Sequence, residues 1–67
     1  MVNNFKKARL IAGITQNELA RRMNVTPGAV CHWETGRTMP DVAHLQKLAG
    51  ELNTTVEKLL DDGERVV

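Results

Sequence analysis

Cys31, His32 and His44 are the side chains with the right chemistry for a nucleophile or a metal ligand. Their arrangement supports neither role. Three potential ligands without a ligand-spacing motif do not define a metal site. A lone cysteine excludes an internal disulfide and a cysteine-built zinc cage. A lone cysteine without a second thiol or a redox motif beside it does not indicate a redox-sensing role. The 67 residues contain no Ser/His/Asp arrangement and no sign of paired buried carboxylates. A chain this short also leaves little space for a substrate pocket. The expectation is a chain with no catalytic residue, no metal and no cofactor, hence not an enzyme. The remaining chemistry is polar recognition, carried by Gln16, Thr26, His32 and Cys31. What these residues can recognise depends on the elements that hold them.

The patterning predicts helices throughout and shows no strand-like alternation. A first helix runs from about Asn4 to Ala12, capped by Asn3 or Asn4 and ended by Gly13, with Phe5, Ala8 and Ala12 on its apolar face. A second opens with Thr15-Gln16-Asn17-Glu18, which reads as a capping box in which Glu18 reaches back to the cap residue. Its core face is Leu19, Ala20 and Met23. Asn24 sits at a sharp turn that favours positive φ, which asparagine tolerates. A third helix has Thr26 as cap and Pro27 at its first position, and ends at Gly36. Ala29, Val30 and Trp33 fall on its core side, and Pro27, Gly28, Cys31, His32 and Thr35 on the other. Asp41 caps a fourth helix with the face Val42, Leu45, Leu48, Ala49, Leu52. Gly50 within it costs about 1 kcal/mol relative to alanine, which suggests close packing at that point. Thr55 caps a short fifth helix carrying Val56, Leu59 and Leu60. The tail Asp61–Val67 reads as frayed, or, with Leu60, Val66 and Val67, as dimer-forming.

The composition is 42% hydrophobic and 25% charged, ordinary for a globular domain. The whole chain is expected to be one small domain of marginal stability, for which pairing with a second copy is natural. No apolar run has the length of a membrane span and no signal-peptide pattern opens the chain, so a cytoplasmic location without membrane contact is expected. The net charge of +1 hides a segregation. Residues 1–40 carry six Lys and Arg against Glu18 and Glu34, a net +4, and residues 41–67 carry a net −3. A basic front and an acidic back point to one face that meets a polyanion.

The second and third helices meet with no loop to spare, over Gln16 to Thr35. Leu19, Ala20, Met23, Val25, Val30 and Trp33 pin them together, and the outer face of the third helix is left bare. A major groove about 12 Å wide admits one helix, whose N-terminal half meets base edges. The N–H groups at the start of the second helix favour a phosphate. Lys6, Lys7, Arg9 and Arg37 supply cations for the backbone, unless Arg9 is engaged by Glu34.

The sequence resembles the Cro/repressor-type, or xenobiotic-response-element-type, helix–turn–helix regulators. The resemblance rests on Arg9, Gly13-Ile14-Thr15-Gln16, Leu19-Ala20, Val25-Thr26, Val30, Trp33-Glu34, Gly36-Arg37 and Pro40, followed by Leu45, Leu48-Ala49, Leu52 and Leu59-Leu60. It covers roughly residues 4–61. It implies an all-α, five-helix, lambda-repressor-like DNA-binding domain whose third helix reads the major groove. It also implies that Gln16 contacts a phosphate and braces the reading helix, and that Thr26, Pro27, Gly28, Ala29, Cys31 and His32 lie against bases or backbone. Arg37 and Thr38 approach phosphates, and Arg9 and Glu34 form an ion pair tying the first helix to the end of the third. Pro27 and Gly28 bring no side-chain donors to the reading face, so much of the specificity is expected from DNA shape and half-site spacing. The implied function is sequence-specific binding of double-stranded DNA by a transcriptional regulator. The expected form is a repressor acting as a homodimer on a palindromic operator, with no small-molecule ligand. The alternative is an antitoxin that also represses its own operon.

Overall fold

The computed structural model describes residues 3–61. It contains five helices in chain order: α1 (Phe5–Ala12), α2 (Gln16–Met23), α3 (Pro27–Thr35), α4 (Val42–Glu51) and α5 (Val56–Leu60). No strand occurs among the described residues. The tail residues 62–67, assigned from sequence to fraying or dimer contacts, lie outside that range. Leu60 is partly buried against the core.

Local chemistry fixes most of the helix ends. The side chains of Thr15, Thr26, Asp41 and Thr55 each accept a hydrogen bond from the backbone N–H three residues on. Such a cap stabilises its helix by about 1 kcal/mol. Gly13, Asn24 and Gly36 end the first three helices in the left-handed conformation, with φ of 76°, 58° and 79°. Of the two cap candidates of α1, Asn4 stands at the cap position without a side-chain cap bond, and Asn3 Oδ1 accepts from the Phe5 N–H at 3.0 Å. One local reading is corrected. Glu18 does not close a capping box. Its carboxylate is taken by Arg21 and Arg22, whose guanidinium groups sit on the same helical face one turn on.

The core gathers Phe5, Leu19, Ala20, Met23, Val30, Trp33, Leu48, Ala49, Leu52 and Leu59, all buried. Ala20 is small where α2 meets α3, and the two axes can approach closely there. Helix α4 closes the core from the α2 side through Leu48, Ala49 and the Leu52 that follows its last turn, and α5 inserts Leu59. Two apolar positions assigned to core faces are instead exposed. Val42 lies on the same stripe as Ala49 but about two turns earlier, at the first position of α4 beyond the packed body. Ala12 relates to Phe5 in the same way at the far end of α1. Gly50 serves no close approach, because a Cβ built there meets nothing within 4 Å.

The N-terminal strand of contacts is long-range. Asn3 Nδ2 donates to the Trp33 carbonyl at 3.0 Å, and Asn4 ties α1 to α5 through its backbone N–H to Leu59 O at 3.0 Å and its Nδ2 to Lys58 O at 2.9 Å. These bonds hold α1 across the ends of α3 and α5, which sets the position of Arg9.

Candidate nucleic-acid interface

The surface in question is the outer side of α3 together with the first turn of α2. Only Asn24, Val25 and Thr26 separate the two helices. The Val25 N–H bonds to the Ala20 carbonyl at 3.0 Å, so the turn is locked to α2 by its own backbone. Val30 and Trp33 are buried and Ala29 is half-buried, while Pro27, Gly28 and Thr35 are exposed and Cys31 and His32 half-exposed. The facing of α3 expected from its sequence is the facing observed.

A buried ionic knot sets the angle between the helices. Arg9 Nε donates to Glu34 Oε2 at 2.6 Å, and Arg9 also donates to the Ile14 carbonyl at 2.9 Å. Gln16 Nε2 donates to Glu34 Oε1 at 2.8 Å. The Glu34 side chain is only 3% exposed. One carboxylate thus joins α1, the start of α2 and the end of α3. Arg9, counted from sequence among the cations for a DNA backbone, is spent inside the protein. Burying both charges largely offsets their attraction, so the pair contributes geometry more than net stability.

The donors left at the helix starts are few. In α2, Thr15 satisfies the Glu18 N–H, and the amides of Gln16 and Asn17 have no intrahelical partner. An open concavity of about 540 Å³ lies beside them, lined by Leu10, Gly13, Thr15, Gln16 and Asn17 among others. In α3, Pro27 has no N–H and Thr26 takes that of Ala29, so Gly28 offers the one first-turn amide left. Gly28 is exposed and brings no side chain of its own over that amide. The fold does not require the glycine either, since an added Cβ would meet only the Thr26 hydroxyl oxygen at 3.8 Å. The Thr26 oxygen accepts as a cap, and its O–H remains a donor. Thr35 differs: its hydroxyl donates to the Cys31 carbonyl at 3.0 Å, within the helix.

Past α3 the chain turns tightly. The Gly36, Arg37 and Thr38 amides fold back over the last turn, with Arg37 N to His32 O at 2.9 Å. The Arg37 and Thr38 side chains are exposed on that turn. Lys7 is placed elsewhere, in a groove between α1 and α5. Sequence reasoning did not find the Asn3 and Asn4 bonds or the tilted ring contact of His44 with Trp33, whose centroids lie 5.8 Å apart at an interplanar angle of 51°. No group of three metal-ligating side chains converges among the described residues, and none of their helices is long and apolar enough to cross a membrane.

The sequence profile of the helix–turn–helix family matches residues 5–59, which spans all five helices. The chain belongs to the Cro/repressor-type helix–turn–helix family. This family binds DNA and regulates transcription. The chain is also 39% identical over 49 residues to the Vegetative-specific protein H7 of Dictyostelium discoideum, a match covering 73% of this chain and 47% of that protein. The chain thus spans about half the length of that curated relative. No solved structure matches it. The helix–turn–helix of this family member is the α2–α3 pair, and its exposed outer face is the part of α3 that the core leaves uncovered.

Proposed function

We propose that this chain is a single helix–turn–helix domain that represses transcription as a homodimer, lying across a palindromic operator and excluding polymerase. The observation that carries the reading is the bare outer face of α3 held at a fixed angle by the Arg9–Glu34–Gln16 knot. Thr26, His32 and Cys31 are the side chains that meet base edges, and Pro27, Gly28 and Ala29 bring backbone and methyl groups close. Gln16, the α2 amides, Arg37 and Thr38 hold phosphates. Two copies would present their α3 helices about 34 Å apart, one turn of DNA. With so few side-chain donors, DNA shape supplies much of the discrimination. The working compartment is the cytoplasm, without cofactor, membrane or small-molecule ligand.

Selection of binding sites from random duplex DNA tests this. The expected consensus is symmetric, with half-sites one helical turn apart, and log affinity falls with log salt at about −0.9 per phosphate neutralised. An asymmetric single half-site would remove the dimer, and no enrichment at low salt would remove the DNA-reading role. The antitoxin reading is supported by no observation on this surface and is set aside.

A further inference from the structure

The groove between α1 and α5 has a chemistry unlike that of the α3 face. It holds about 220 Å³, with Ala8 and Leu59 along its apolar floor and Lys7, Ile11 and Lys58 at its rims. Ile11 is 77% exposed, the most open of the large apolar side chains described. Neither lysine has an ion-pair partner among the described residues. The groove is preformed, because both Asn4 bonds fasten its α1 wall to its α5 wall. At 100° per residue, the stripe of Lys7, Ala8 and Ile11 lies on the other side of α1 from Arg9, and so away from Gln16 and Glu34.

Three occupants can be weighed on charge and polarity. A DNA backbone would satisfy the lysines but set a hydrated anion against Ile11 and gain nothing from the floor. A second copy joined through the same patch would bring four lysines together, since a two-fold interface is made of identical surfaces. A segment with carboxylates flanking an apolar side chain satisfies both rims and floor. We propose that this groove docks a short acidic amphipathic segment of a partner protein. The wall from Asn4 to Ile11 is about 10 Å long, which matches two turns of a partner helix. Because the groove faces away from the α2–α3 surface, the partner can sit on the protein while DNA occupies the other side.

The test uses the full chain and a fluorescently labelled, amidated peptide of glutamates with leucines at helical spacing. Polarisation is measured alongside DNA binding. The expected result is saturable binding, weakened at least about tenfold by either Lys58→Glu or Ile11→Ser. Both sites are exposed, and circular dichroism checks that the variants fold. Lys58→Glu is expected to leave DNA affinity within about twofold. The proposal is overturned by any of four results. These are no peptide binding at millimolar protein, equal binding of a lysine–leucine peptide, a parallel loss of DNA affinity in Lys58→Glu, or binding to phosphatidylserine vesicles in preference to the peptide. Concentration-dependent self-association abolished by Ile11→Ser would likewise assign the groove to a second copy.

Discussion

Gln16 and Glu34 join the first turn of α2 to the last turn of α3 through a 2.8 Å hydrogen bond. The same carboxylate holds Arg9. Replacing Glu34 by alanine leaves a buried guanidinium without its counter-charge. The expected loss is about 3–5 kcal/mol by denaturant unfolding. The double variant Arg9→Met with Glu34→Leu is expected to recover most of that loss, since an apolar pair of similar volume replaces a buried ion pair at little cost. It should still bind DNA less well, because Gln16 loses its anchor. Full recovery of DNA affinity in the double variant would show that Gln16 needs no such anchor.

His32 is half-exposed on the outer face of α3, one turn past the helix start. His32→Ala is expected to weaken binding to the selected site by about 1–3 kcal/mol and binding to random DNA by much less. Equal losses on both would place His32 against phosphate.

Two exposed glycines make a controlled pair. A Cβ at Gly28 or at Gly50 meets no clash, and neither backbone has positive φ. Alanine at either position should stabilise the fold by roughly 0.5–1 kcal/mol, visible as a rise in Tm of several degrees. Only Gly28→Ala should also reduce DNA affinity, because its amide is the one first-turn donor of α3 left for a ligand. A Gly28→Ala variant that binds normally would show that the DNA backbone keeps its distance there.

The acid limb of stability should report Glu18. Hydrogen bonds from Arg21 and then Arg22 hold its carboxyl down from the ordinary 4.5 to about 2. A carboxyl depressed on folding stabilises the protein above its unfolded pKa, and that contribution is lost as pH falls from about 4.5 toward 2. Asp41 shifts in the same direction, through the backbone N–H and then the ring of His44. Glu18→Gln should therefore flatten the dependence of Tm on pH in this window and lower neutral Tm by the same small amount, small because the pair is exposed and screened. Added salt should flatten it as well. An unchanged slope in the variant would assign the acid limb to other carboxylates.

The α2–α3 unit was readable because its determinants are local. Thr15, Thr26 and Pro27 mark starts, Asn24 and Gly36 mark ends, and five apolar positions of α2 and α3 fall on matching faces. The exposure of Val42 was not readable, because periodicity gives a direction around a helix axis and not the point where the neighbouring body stops. Glu18 shows a different limit. Two arginines within one turn outcompete a single backbone N–H for its carboxylate, and sequence spacing alone permits both outcomes. The ties from Asn3 and Asn4 cross 30 and 54 residues of chain, with no local pattern to announce them. On α3 the facing of the residues could be read, while the scarcity of unused donors at its start emerged only with its caps.

The three-residue junction at Asn24 has a mechanical consequence. With the Asn24 and Val25 amides bound back to α2 and both helices fastened at Glu34, the α2–α3 unit has almost no compliance of its own. Any misfit with a duplex must be absorbed by the duplex. Target sites that share every touched base pair but differ in the flexibility of their untouched centre would then be ranked by how readily they bend.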